Sequence, residues 1–102
     1  MTFQRLVFLV RRRLWQVREA VYVALWPRAE IARLEAAAEA AYDAMYYAER
    51  YTIRECYDDA FINLMHAIRI AERRGMRDVA ERLKARQDHI YYVYDHQFRR
   101  GL

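Results

Sequence analysis

The side chains that could bind a metal ion or transfer protons are few and widely spaced. The chain has three histidines, His66, His89 and His96, and one cysteine, Cys56. Two ligands on one helix face lie three or four residues apart, whereas His89 and His96 are about 10.5 Å apart along a helix, too far for one ion. No Glu-x-x-His pattern occurs, which excludes the helical di-iron arrangement. We predict no metal site and no cofactor.

Composition excludes several other kinds of chemistry. The 102 residues include no serine and only two glycines, Gly75 and Gly101. A serine-based triad and a glycine-rich phosphate loop therefore cannot be built. With Cys56 alone, no intrachain disulfide is possible, which predicts a reducing, cytoplasmic location. We predict no catalytic residues, no small-molecule substrate and a protein that is not an enzyme.

The most distinctive pattern is an alternation of aromatic and arginine side chains near the N-terminus. Steps of three and four residues place on one helix face Phe8, Arg11, Trp15, Arg18 and Tyr22. This spacing permits cation–π contacts, and Trp, Tyr and Arg are enriched at binding hot spots. We predict a partner-binding stripe here, the alternative being that the stripe packs inside its own bundle. A second predicted surface is the C-terminal aromatic cluster of Tyr91, Tyr92, Tyr94 and Phe98.

The same segment is strongly basic. Residues 1–28 sum to +5, residues 29–75 to −3 and residues 76–102 to +2, within a whole-chain charge of +4. A basic amphipathic helix is typical of nucleic-acid binding, so the alternative function assigns that role to Arg5, Arg11, Arg12, Arg13 and Arg18. The simpler interpretation is that Arg11 to Arg13 pair with the acidic residues 30–43 in an antiparallel hairpin. We do not expect a membrane-surface partner, and three consecutive arginines exclude a transmembrane span.

The elements that must position these residues are helical. Apolar residues make up 56% of the chain, while Gly, Pro, Ser and Asn are nearly absent, so strands would lack turns. We predict an all-α antiparallel bundle of three long helices, about 3–26, 28–74 and 77–98, forming a single domain over residues 1–102. Pro27 should end the first helix, and Gly75 should end the second.

Regular apolar spacing supports these helices. The seam of the first segment, which we predict to face the core, is Phe3, Val7, Val10, Leu14, Val17, Val21 and Ala24. The middle segment has two seams, Ile31 to Ala48 and Ile53 to Ala71, displaced by one residue. The seam of the last segment is Met76, Val79, Leu83, Ile90 and Tyr94, with Gln87 at an inward position. We favour a continuous helix here, because Arg50 or Tyr51 would otherwise adopt a left-handed conformation. A break near Thr52, with Glu55 completing a capping box, would give four helices.

Two features suggest self-association. Residues 36–48 contain seven alanines, which permit close approach of another helix, although an ordinary central helix fits them equally. Four tyrosines project from the same region: Tyr42, Tyr46, Tyr47 and Tyr51. We therefore predict a non-enzymatic protein–protein interaction protein (a small regulator, adaptor or inhibitor) that acts as a homodimer.

Overall fold

The protein is an all-α helical bundle, as predicted. The computed structural model describes the backbone of residues 2–101, and their side chains except for residues 2–6, 8–10, 15, 19–24 and 101. Three long helices are present: α1 (Thr2–Met45), α2 (Ile53–Arg73) and α3 (Arg77–Val93). A π-helical turn (Tyr94–Phe98) and a 3-10 turn (Arg99–Gly101) extend α3. Over the described backbone no residue lies in a β-strand.

Helix α1 continues through Pro27, so the predicted end at that residue is wrong. Proline removes one backbone donor and crowds one carbonyl, here that of Val23, at a cost of about 3 kcal/mol. That cost is local. The nearby residues Leu25, Arg28 and Ala29 favour helix, and the fixed φ of proline is itself helical. The helix therefore continues despite the missing hydrogen bond.

The break instead lies at residues 46–52, and the continuous middle helix that we favoured is also wrong. No non-glycine residue of the described backbone has a positive φ, so the connection forms without the strain that we expected there. The hydroxyl of Thr52 donates to the carbonyl oxygen of Glu49 at 2.9 Å, and no side-chain cap bonds to the first turn of α2. Thr52 precedes α2 as predicted, but the capping box with Glu55 does not form.

The turn between α2 and α3 follows the prediction for Gly75. This glycine has a φ of +70°, and its N–H donates to the carbonyl of Glu72 at 3.2 Å. The N–H of Met76 donates to the carbonyl of Ala71 at 2.8 Å. These two bonds form a Schellman motif, which satisfies the last carbonyls of α2.

The core lies between the second half of α1, α2 and α3. Its largest fully buried side chains are Met45, Leu64, Leu83 and Ile90. The predicted seams that begin at Ile31, Ile53 and Met76 supply most of the other buried positions. These three seams are therefore confirmed as the faces that pack the bundle.

Ion pairs join α1 to α3 along the side of this core. Arg86 donates two hydrogen bonds to the carboxylate of Glu39, at 2.6 and 2.7 Å, and its guanidinium lies 5.0 Å from the centre of the Tyr42 ring. Arg82 pairs with Glu35 one turn away. Two of the four acidic residues between 30 and 43, Glu35 and Glu39, are thus paired with α3. Because α1 is one continuous helix, Arg11 to Arg13 cannot fold back onto these residues, and the hairpin interpretation is wrong.

Candidate protein interaction surface

The N-terminal half of α1 extends beyond the bundle. Every described side chain from Val7 to Trp26 is exposed, whereas Pro27 is buried. Arg28 lines one shallow depression together with residues 75–79, so the turn between α2 and α3 lies beside Arg28. Residues 2–26, called the arm below, would therefore project about 37 Å past that turn. The longest dimension of the molecule, 77 Å, agrees with this projection.

The described members of the predicted seam of this segment do not reach the core. Leu14 is 64% exposed and Val17 61% exposed, and Val7 is also exposed. For these three residues, the prediction that the seam faces the core is wrong. Its remaining members, Phe3, Val10, Val21 and Ala24, lie outside the described side chains.

Val17 and Trp26 point to other sides of the helix, but three exposed apolar residues of the arm, Val7, Leu14 and Leu25, align with exposed alanines in the second half of α1. At about 100° per residue, they share an arc of about 80° on one side of the helix. We call this set the outer face; its members are Val7, Leu14, Leu25, Ala29, Ala32, Ala36 and Ala40. Its centre lies about 150° around the axis from the buried residues Ile31 to Met45. Helix α1 thus has one apolar face in the core and another in solvent.

The arginine cluster borders this outer face. Arg11, Arg12, Arg13 and Arg18 are all exposed, and no described carboxylate forms an ion pair with any of them. Arg11 and Arg18 lie within the arc of the outer face, while Arg12 and Arg13 point to either side of it. Arg5, the fifth predicted nucleic-acid contact, lies outside the described side chains. The arm therefore combines exposed apolar and unpaired cationic groups.

The predicted aromatic stripe can be placed only in part. Arg11 and Arg18 are exposed, but Phe8, Trp15 and Tyr22 lie outside the described side chains. Two exposed residues that the sequence reasoning missed are Leu25 and Trp26, at 57% and 40% exposure. The signal for Leu25 was the helical phase that it shares with Leu14, which becomes informative only when α1 passes through Pro27.

The C-terminal aromatic cluster divides between core and surface. Tyr94 is only 7% exposed and stacks on Tyr57, with ring centroids 4.1 Å apart. Phe98 is half-buried and packs edge-on against Tyr46 at 5.1 Å. Tyr94 and Phe98 therefore hold the end of α3 against the bundle, and burial raises the pKa of the Tyr57 phenol. Tyr91 and Tyr92 remain exposed.

An aromatic patch also surrounds the connection between α1 and α2. Tyr47 and Tyr51 are 90% and 78% exposed, and Tyr46 is half-exposed. Tyr42, the fourth tyrosine predicted to project, is buried, and this burial raises its pKa to about 12. Three of the four tyrosines thus project as predicted, at the end of the bundle opposite the arm.

The described residues contain no group of three or more His, Cys, Asp and Glu side chains that could hold a metal ion. Within the same part of the chain, no helix has both the length and the apolar character needed to cross a bilayer. The chain matches no protein-family model, no curated protein and no solved structure.

Proposed function

We propose that this is a non-enzymatic protein–protein interaction protein, a small helical regulator, adaptor or inhibitor, that acts as a homodimer in the cytoplasm. The observation that carries the proposal is the exposure of Val7, Leu14, Val17 and Leu25 on the arm, which extends past the bundle. Fully burying a side chain of this kind contributes about 1.5–3 kcal/mol. Leu14 and Leu25 share one face and are 64% and 57% exposed, so a partner that covered both would gain about 1–2 kcal/mol from each.

The stability of the arm supports the same proposal. An isolated helix in water depends on residue propensity, and most helices in proteins are stabilised by packing of an apolar face. The arm contains five valines, Val7, Val10, Val17, Val21 and Val23, and β-branched residues lower helix propensity. A partner that packs on the outer face would supply the stabilisation that the bundle does not.

The test compares the wild-type chain with a double variant, Leu14→Glu with Val17→Glu, and with Gln16→Glu as the matched control. Gln16 is exposed and lies on the opposite side of the arm. We expect the double variant to lose association, measured by light scattering and by affinity capture, while Gln16→Glu retains it. Circular dichroism should show that the bundle remains folded in all three chains. Equal association by all three chains would refute the proposal.

A second candidate function is nucleic-acid binding through the arginine cluster. It is favoured by the exposure of Arg11, Arg12, Arg13 and Arg18 without ion-pair partners among the described residues. Four phosphate contacts predict a fall in affinity with a log–log salt slope of about −3 to −4. A duplex-binding titration at several salt concentrations measures this slope, and a slope near zero would eliminate the candidate.

A further inference from the structure

We infer that the partner of the outer face is a second copy of this chain, and that the two α1 helices pair antiparallel about an axis near Pro27. This inference rests on the proposed function and specifies the partner and its orientation. It places Leu14 of one copy opposite Ala40 of its partner, and Leu25 opposite Ala29. In this arrangement the arm of each copy lies along the second half of α1 in the other.

Side-chain size is the first reason for this pairing. On the arm, the outer face consists of the large side chains Val7, Leu14 and Leu25; beyond Pro27 it consists only of alanines. Two helices pack closely where the large side chains of one helix lie opposite the small side chains of the other. The antiparallel arrangement brings the large half of each copy onto the small half of the other. A parallel arrangement would instead place alanine against alanine, with little area to bury.

Charge is the second reason. Residues 2–28 hold six arginines and one glutamate, whereas residues 29–45 hold four acidic residues and one arginine. Within the chain, Glu30 pairs with Arg33, and Glu35 and Glu39 pair with α3. Antiparallel pairing therefore brings the basic half of each helix beside Asp43 of its partner. In the register given above, Arg11 faces Asp43, and both are exposed without an ion pair among the described residues. Parallel pairing would oppose the two arginine clusters and is therefore disfavoured.

Spin labels can measure the orientation directly. We would attach one label at Gln16→Cys, on the side of the arm away from the outer face, in a Cys56→Ser background. Antiparallel pairing separates the two labels by 22 residues along the axis, about 33 Å, and by about 24 Å across it. The expected distance is thus about 40 Å. Parallel pairing in register predicts about 25 Å, and that distance would overturn the inference.

Charge reversal tests the register. Arg11→Glu and Asp43→Arg should each weaken the dimer, by about 2- to 30-fold for two exposed pairs. The double variant should restore the wild-type dissociation constant, because each new pair is again of opposite charge. Failure of the double variant to recover would contradict this register. A partner other than a second copy would give no such recovery.

The alanine side of the contact has its own test. Ala40→Glu places a carboxylate opposite Leu14 and should raise the dissociation constant about tenfold or more. Ala85→Glu is the matched control, because Ala85 is exposed on α3 away from the outer face. Circular dichroism should show that both variants keep their helices. Equal dimerisation by the two variants would overturn the inference.

These outcomes separate the inference from the proposed function. A chain that stays monomeric at high micromolar concentration, with no measurable distance between labels, would overturn both the second copy as partner and the homodimer of the proposed function. The proposed interaction role would then depend on whether Leu14→Glu with Val17→Glu abolishes capture of another protein. Both proposals are refuted if the chain does not dimerise and if Leu14→Glu with Val17→Glu has no effect on the capture of another protein.

Discussion

Replacing Pro27 by alanine tests whether α1 is continuous. A continuous helix and a helix that begins at Pro27 predict opposite signs for the change in the free energy of unfolding. Inside a helix, alanine is more favourable than proline by about 3 kcal/mol. Pro27 is buried, and loss of its two extra ring methylenes costs about 1.6 kcal/mol. The difference predicts a stabilisation of about 1.4 kcal/mol, or a thermal midpoint about 6–11 °C higher at fixed protein concentration.

The opposite sign is expected if a new helix began at Pro27. Proline is favoured at the first position of a helix, where no intrahelical hydrogen bond is lost. Alanine there would gain no bond, would lose the buried methylenes and would leave the unfolded chain more flexible. The variant would then be less stable than the wild type.

Thermal unfolding followed by circular dichroism distinguishes the two cases. Amide hydrogen exchange at residues 24–30 adds a local measurement, since a continuous helix should become better protected in Pro27→Ala. Arg28→Ala is the control at the exposed neighbouring position and should change stability by less than about 0.5 kcal/mol. A thermal midpoint that falls or stays constant in Pro27→Ala would refute the continuous helix.

Three further predictions concern the bundle. Leu83→Ala, at a fully buried position, should lower the free energy of unfolding by about 2–5 kcal/mol in urea titrations; the exposed Ile62→Ala should change it far less, and similar losses would contradict the assigned core. Gly75→Ala should cost about 1 kcal/mol through its positive φ alone, because a Cβ there meets nothing within 4 Å; an unchanged melting curve would argue against this turn. The hydrogen bonds from Arg86 lower the pKa of Glu39 below 4.5, so their stabilisation is complete above that pH and is lost as the pH falls through the lowered pKa. Glu39→Gln should therefore destabilise by about 0.5–1 kcal/mol at neutral pH, after allowance for solvent screening, and should converge with the wild type in acid; a difference independent of pH would exclude this origin.

The local signals in the sequence were sufficient for most of the bundle. The scarcity of turn-forming residues predicted the helical class, and the seams at Ile31, Ile53 and Met76 matched the buried faces. Gly75 marked a turn because only glycine adopts a left-handed conformation at little cost. Gln87 was placed facing inward, and its amide donates to the carbonyl of Phe61 at 3.2 Å.

The errors arose where tertiary contacts decide between local alternatives. The defect at Pro27 and the phase slip near Thr52 each permit a break, and the choice depends on which segments reach the core. Once the break lies at residues 46–52, α2 and α3 cover α1 only from Pro27 onward. Leu14 and Val17 then have no bundle partner, although their spacing is that of core residues. Periodicity predicts that a face will be buried but does not specify by what.

The distribution of charge along α1 has a consequence for kinetics. Its basic half lies at the N-terminus, its acidic half follows, and neither end carries a compensating charge in its first or last turn. The side-chain charges therefore add to the helix macrodipole instead of opposing it. The exposed arginines of the arm therefore orient the molecule in the field of an approaching acidic molecule before contact. Association should then be fast at low ionic strength and slow steeply as salt is added, while dissociation changes little.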